Sequence, residues 1–486
     1  MTEDNLKQRT LLGLFWSFTD NIVSQGINFI ISIVLARMLA PREFGLFGMI
    51  IIFIPIAQIF IDSGFSQALI RKKDCDQNDY CTAFYFNLFI GVLFYGIFFF
   101  SAGPISRFFN QPPLEKMLQV LGLVLIINAA GLIQNTILIK GINFKLQTKI
   151  SIISSIFAGL VSIGMAYRGW GVWSLVWKMI IQNFLQNLLL WLWSAWKPAF
   201  LFSKTSLRAM FNFGSKLLAA GLLDSTYNSF YYITIGKFYS AIDLGYYTWS
   251  DNCQNLFSSN LTTIVQRVSY PVLSSIQDDD MRLKLYYKEL IKNTMFISFT
   301  FLIGLAASAK QFILVLIGAK WLTAVSYLQL LCFVGMLYPL HALNLNMLNV
   351  KGRSDLFLKL ELIKKLLSVP VILIGIFIGI KAMLIAMIIH SFAAYFINTY
   401  WSGHLIDYSM REQVADLAPI FFSSAIMGCC VYAMGCLLTY NVLGTLLVQI
   451  MVGLLIVMAC AHIFGFGSYA EIRKVFMKNL INRKTG

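Results

Sequence analysis

The sequence predicts an all-α polytopic membrane protein, and three observations predict it. Of the 486 residues, 58% are hydrophobic and only 12% are charged, about half the charged share of an ordinary soluble domain. The apolar residues form continuous runs of roughly 20, the length a helix needs to cross a bilayer, and lack the period-two alternation of a membrane β-barrel. Lys and Arg gather in every second loop, as cytoplasmic loops do.

Taken in order, the apolar runs define about fourteen spans. They cover 11–38, 43–70, 80–103, 116–139, 150–167, 170–195, 211–236, 246–274, 287–309, 322–350, 356–380, 382–402, 415–438 and 442–465. The first follows a short polar stretch, "MTEDNLKQRT", and exceeds the apolar core of a cleaved signal, so an uncleaved first span is expected. Alternating the loops from there puts "RKKD" (71–74), "RLKLYYKELIK" (282–292) and the tail "RKVFMKNLINRK" on one side. That side is expected to be cytoplasmic, with both termini on it. The net charge of +16 is explained by these loops, and no nucleic-acid partner is expected. Eight cysteines and four histidines show neither metal-ligand spacing nor a disulfide framework, so no metal site is expected and the cysteines read as small apolar fillers.

Two segments repeat. "LARMLAPREFGLF" (35–47) aligns without gaps on "IGKFYSAIDLGYY" (235–247), pairing Arg37 with Lys237, Glu43 with Asp243 and Gly45 with Gly245. In the same order, "NTILIKG" (135–141) aligns on "NMLNVKG" (346–352). Six spans separate the copies, so both would have the same orientation, as two lobes about a pseudo-twofold axis along the membrane normal. The expected divisions are residues 1–200 for spans one to six and 201–405 for spans seven to twelve. Residues 406–486 would then hold an accessory helix pair and a basic tail.

Four spans carry one wet face each. In span one, Ser17, Asp20, Asn21, Ser24 and Asn28 share a helical face. Span two has Gln58, Asp62 and Ser66; span seven has Lys216, Ala220, Asp224 and Asn228; span eight has Asp251, Asn255, Ser258, Thr262 and Gln266, with Arg267 beside them. A charge at mid-bilayer costs ~2.5–3.5 kcal/mol on insertion scales, so several together imply a shared polar interior. A single intramembrane Asn, Ser or Thr more commonly ties two helices together. Lys178, Lys216, Arg267, Lys364 and Lys365 supply cations at membrane depth. Such cations suit an anion such as a phosphate, held by charge-assisted hydrogen bonds.

The stretches "LARMLAPREFGLFGM", "DSGFSQALIRKKD", "SYPVLSSIQDDDMRLKLYYKEL" and "NVKGRSDLFLKLELIKK" resemble the Wzx-type polysaccharide flippases. These form the polysaccharide transporter branch of the multidrug/oligosaccharidyl-lipid/polysaccharide exporter superfamily. The resemblance runs from about residue 10 to about residue 400. It implies a two-lobed transporter in the bacterial inner membrane that moves a polyprenyl-pyrophosphate-linked oligosaccharide to the outer leaflet by alternating access, in lipopolysaccharide or exopolysaccharide assembly. By position in matching spans, Lys216, Arg267, Lys364 and Lys365 would bind the pyrophosphate. From the wet faces themselves, Asp20, Asn28, Asp62, Asp224, Asn228, Asp251 and Asn255 are expected to line the cavity, and an intramembrane carboxylate, Asp20 or Asp224, to take up H⁺ or Na⁺ to reset the empty carrier. No other cofactor and no catalytic residue is implied; membrane lipids and polysaccharide polymerase machinery are the expected partners, and a monomer the expected state. Span one offers Asp20 with no adjacent arginine, which separates the chain from some lipid II flippases.

Two other classes compete. A multidrug-type ion-coupled antiporter of the same superfamily would share the architecture, with the basic residues arguing against a cationic cargo. A membrane oligosaccharide polymerase or ligase would need a long outer loop bearing acid–base residues, and every outer loop here is short. "QDDD" (277–280) lies in a short loop on the basic side and reads as a solvated turn.

Overall fold

The computed structural model describes residues 23–438 and 441–463, and among them the regular elements are helices. They group into two compact units, Met1–Thr248 and Trp249–Gly486. In the first, α1 is Val23–Met38, and the second span consists of α2 (Pro41–Ile51), α3 (Phe53–Asp62) and α4 (Phe65–Arg71). Next come α5 (Gln77–Phe109), α6 (Pro113–Leu121), α7 (Leu123–Lys140), α8 (Phe144–Tyr167), α9 (Trp173–Trp193) and α10 (Lys204–Phe238). The helix α11 (Ala241–Ser275) starts in the first unit and continues into the second. The second unit then contains α12 (Asp280–Leu316), α13 (Ala324–Gly335), α14 (Tyr338–Val350), α15 (Ser354–Leu367), α16 (Val369–Phe377), α17 (Ile380–His404), α18 (Met410–Leu437) and α19 (Val442–Ile463).

Nine helical segments of the described residues are long and apolar enough to cross a membrane. The spans expected at 170–195, 211–236, 246–274 and 356–380 are also helical, as α9, α10, α11 and α15–α16. Their polar content and interruptions keep them out of the apolar set. By contact, α10 belongs with the first unit, where it packs on α2, α3, α4 and α5.

Helix starts lie where short polar side chains can satisfy the free amides of the first turn. Asp76 caps α5: its Oδ1 accepts from Asp79 N at 2.8 Å, while Asp79 Oδ2 accepts from Asp76 N at 3.1 Å. Ser203, Asp279 and Ser409 cap α10, α12 and α18 in the simpler form.

The second span is broken. Ser63 (φ 48°) and Gly64 (φ 72°) are both left-handed, which ends α3 and restarts the chain as α4. Asp62 stabilises the restart, its Oδ1 accepting from Ser66 N at 3.0 Å and Ser66 Oγ at 2.6 Å. Gly64 is required twice over, by its φ and by space: a Cβ there would lie 2.7 Å from Gly214 Cα of α10.

The first repeated segment meets its own copy. A Cβ on Gly45 would fall 1.6 Å from Ala241 O, and one on Gly245 would fall 1.9 Å from Pro41 O. Positions 41 and 241, and 45 and 245, are equivalent in the ungapped alignment, so the contact is reciprocal. Gly48 likewise faces Thr248, its equivalent. Reciprocity of this kind is the mark of a local twofold relation.

The second repeated segment places a lysine at the end of a helix in each unit. Lys140 Nζ donates to Leu69 O (3.0 Å) and Lys72 O (2.6 Å), at the end of α4, and lies 2.9 Å from Cys75 Sγ. Lys351 Nζ donates to Gln277 O (2.8 Å), just beyond α11, and to Asp280 Oδ1 (2.5 Å). Cys75 therefore makes polar contacts, unlike an apolar filler.

In the second unit α18 and α19 pack on α12. Lys288 joins Glu412 (3.1 Å) and Asp416 (2.9 Å), and Lys292 joins Asp416 (2.9 Å). Deeper, Tyr287 donates to Asn344 (2.7 Å), Asn344 to Thr399 (3.1 Å), and Thr399 to Gln413 (3.0 Å). All four side chains are buried. The accessory pair is thus joined to the unit by polar as well as apolar contacts.

Candidate functional site: an acid-lined cavity

The first unit contains a cavity of about 720 Å³ walled by α2–α3, α7 and α10. Two helical faces supply its polar groups. From α10 come Asp224, Ser225, Asn228, Ser229 and Tyr232, which follow the i, i+1, i+4, i+5, i+8 spacing of one side of a helix. From α3 come Gln58 and Asp62, one turn apart. Ile51, Ile52, Pro55, Ile59 and Leu132 form the apolar remainder. Gly221 lets α10 approach α3, since a Cβ there would already be 3.3 Å from Ile59.

The break in the second span positions the site. Asp62 is the last residue of α3, and its side chain both faces the cavity and caps α4. Thr136 of α7 donates to Ser66 Oγ at 3.0 Å, extending that cap to a neighbouring helix. Gln58 Oε1 accepts from Asn128 of α7 at 3.3 Å. In a membrane protein, irregular backbone is stable where protein or a wet cavity satisfies it. Here side chains of α7 bond to groups on both sides of the break, beside the cavity.

The structure brings Asp62, Asp224 and Asn228 into this one cavity. Ser225, Ser229 and Tyr232 join them, and the sequence reading missed the two serines; continuing the Asp224–Asn228 ladder by one residue would have found them. Lys216 lies two turns before Asp224 on α10, is exposed and is not in the lining. The lining has two carboxylates and no Lys or Arg. Its polarity is therefore acidic.

The remaining expected residues lie elsewhere. Asp20 falls outside the described residues. Asn28 donates to Ser24 O (2.9 Å) and Ser155 Oγ (3.4 Å), and Gln182 reaches the same Ser155 at 3.1 Å. That part of span one therefore ties α1 to α8 and α9. Asp251, Asn255, Arg267, Lys364 and Lys365 belong to the second unit. There Asn255 Oδ1 accepts from Ser259 at 3.4 Å, Arg267 is exposed, and Lys364 is paired with Glu361.

Comparison with known proteins places this geometry. Residues 34–326 match the family model described as "Polysaccharide biosynthesis protein". The chain is 24% identical over 444 residues, 89% of each chain, to the lipopolysaccharide biosynthesis protein WzxC of Escherichia coli (strain K12). It is 28% identical over 303 residues, 62% of each chain, to the teichuronic acid biosynthesis protein TuaB of Bacillus subtilis (strain 168). Among solved structures it resembles the lipid II flippase MurJ in an inward closed conformation, with a TM-score of 0.73 at 14% identity, covering 93% of this chain and 98% of that one. It also resembles an inward-facing multidrug resistance MATE family transporter, with a TM-score of 0.64 at 13% identity, covering 79% of this chain and 94% of that one. These structures share its fold. The family match covers more than half of the sequence, and the chain belongs to the polysaccharide biosynthesis protein family.

Proposed function

We propose that the protein is a flippase that carries a polyprenyl-pyrophosphate-linked oligosaccharide from the cytoplasmic to the outer leaflet of the bacterial inner membrane. The observation that supports this most is the polar cavity at membrane depth beside a broken span, in a chain of this family. Its volume is in the range that encloses a drug-sized ligand, so it would admit part of the oligosaccharide at a time. Amides, hydroxyls and Tyr232 offer hydrogen bonds and a ring face for sugar. A wet path of this kind lowers the cost of taking hydroxyls and phosphates through hydrocarbon.

The two lobes, 1–200 and 201–405, would alternate access, with both termini cytoplasmic. An inside-negative potential favours outward movement of the pyrophosphate by ~2.3 kcal/mol per charge per 100 mV. The pyrophosphate would be held by Lys216, Arg267, Lys364 and Lys365. The acidic lining suggests a division of labour, in which Asp62 and Asp224 take up H⁺ or Na⁺ to reset the empty carrier. Such a transporter hands its cargo to polysaccharide polymerase machinery and needs no catalytic group of its own.

The acidic lining also favours a second reading, an ion-coupled antiporter of a cationic small molecule. One experiment separates them. Purified protein in vesicles is given a fluorescent polyprenyl-pyrophosphate oligosaccharide, and leaflet exchange is followed by quencher access. A flippase exchanges the lipid; Lys216→Ala and Arg267→Ala abolish exchange, and Asp224→Asn removes its dependence on an ion gradient. No exchange under a proton or sodium gradient, with uptake of a cationic dye instead, overturns the flippase reading.

A further inference from the structure

Between α9 and α10, residues 194–203 run without helix as a strap across the start of α5. Four hydrogen bonds fix it there. Trp196 Nε1 donates to Gln77 Oε1 (2.8 Å), and Gln77 Nε2 donates to Lys197 O (2.8 Å). Ala199 N meets Cys81 Sγ at 3.2 Å, and Ser203 N donates to Thr82 Oγ1 at 2.9 Å. The Trp196 ring also packs edge-on against Tyr80 and Phe84.

What this anchored strap presents outward is unusual. Phe200 is 99% exposed, Phe202 56% and Leu201 40%, three consecutive large apolar side chains. Lys197 and Lys204 flank them, and Arg208 follows one turn into α10. All three cations are exposed and make no ion pair among the described residues. At the start of α5, Asp79 pairs with Lys72 at 2.5 Å, and Asp76 caps the helix by accepting from Asp79 N. Aromatic side chains bordered by lysine are the pattern of the membrane–water boundary, where rings insert and ammonium groups reach the headgroups. Extended backbone is stable at that depth only if its amides are satisfied, and the bonds to α5 do this for Ala199 and Ser203.

We propose that the strap is a docking surface for an anionic phospholipid of the bilayer, with Phe200, Leu201 and Phe202 inserted among the acyl chains and Lys197 and Lys204 on the headgroup phosphate. Charge selects the occupant. Three exposed cations that make no ion pair among the described residues favour a net-negative headgroup over a zwitterionic one.

The test places a benzophenone amino acid at position 200 of the full chain. The protein is reconstituted in vesicles of equal parts phosphatidylglycerol and phosphatidylcholine, irradiated, and its lipid adducts are counted by mass spectrometry. Each lysine near the surface is worth about a fivefold preference for the anionic lipid. Phosphatidylglycerol adducts should therefore exceed phosphatidylcholine adducts severalfold. Lys197→Gln, Lys204→Gln and Arg208→Gln together should bring the ratio to parity, and raised salt should lower it in the unsubstituted chain. Parity in the unsubstituted chain, or no lipid adduct at all, overturns the proposal.

Discussion

Lys140 and Lys351 occupy matching places in the two copies of the repeat, yet they hold different partners. Lys140 bonds two carbonyls at the end of α4 and a thiol, Cys75; Lys351 bonds one carbonyl beyond α11 and a carboxylate, Asp280. The backbones they secure differ too. The second span breaks at Ser63–Gly64, whereas α11 continues as helix over 35 residues. The comparison shows which part of the duplicated design is common to both halves. A cation at the free carbonyl end of a helix is stabilising in any copy. Between these two equivalent spans, the left-handed break belongs to the one in which Asp62 faces a cavity.

Breaking the comparison most severely means removing the break. Gly64→Ala forces a side chain into a left-handed conformation and against Gly214. The expected loss is roughly 3 kcal/mol or more, read as a lower thermal unfolding midpoint in detergent. A neutral result would mean that α3 and α4 can join as α11 does.

The lysines come next. Lys140→Met should cost about 2–3 kcal/mol, because two helix-end carbonyls lose a charged donor. Lys351→Met should cost about 1 kcal/mol, since its carboxylate partner is 73% exposed. Equal losses in the same unfolding assay would argue against the asymmetry.

Cys75→Asp sharpens the comparison by giving the first half the second half's chemistry. A charge-assisted bond to Lys140 should add up to about 1 kcal/mol, while Cys75→Ala should lose a few tenths. The smallest effect belongs to Asp280→Asn, expected within about 0.5 kcal/mol because a solvated pair contributes little.

These contrasts also mark how much was legible in the sequence. The repeat, the wet faces of α3 and α10 and the lysine pair are properties of spacing, and spacing is written in the chain. Asp224 and Asn228 were recognisable because i and i+4 share a helical face. The break at Ser63–Gly64 was hidden because 43–70 reads as one apolar run, and hydropathy carries no information on φ. The acidity of the cavity was hidden for another reason. It depends on which faces meet, and Lys216, on the same ladder as Asp224, turns out not to line the cavity. Asn28, equally polar, faces Ser155 and holds helices together.

The reciprocal contact of Gly45 with Ala241, and of Gly245 with Pro41, has a historical consequence. In a half-length chain that paired with a copy of itself, both glycines would have been a single residue, and any mutation there would have struck the interface twice. Duplication separates them. Each glycine can now change alone, and because the two face one another's neighbours, the cost of changing both is not the sum of the single costs.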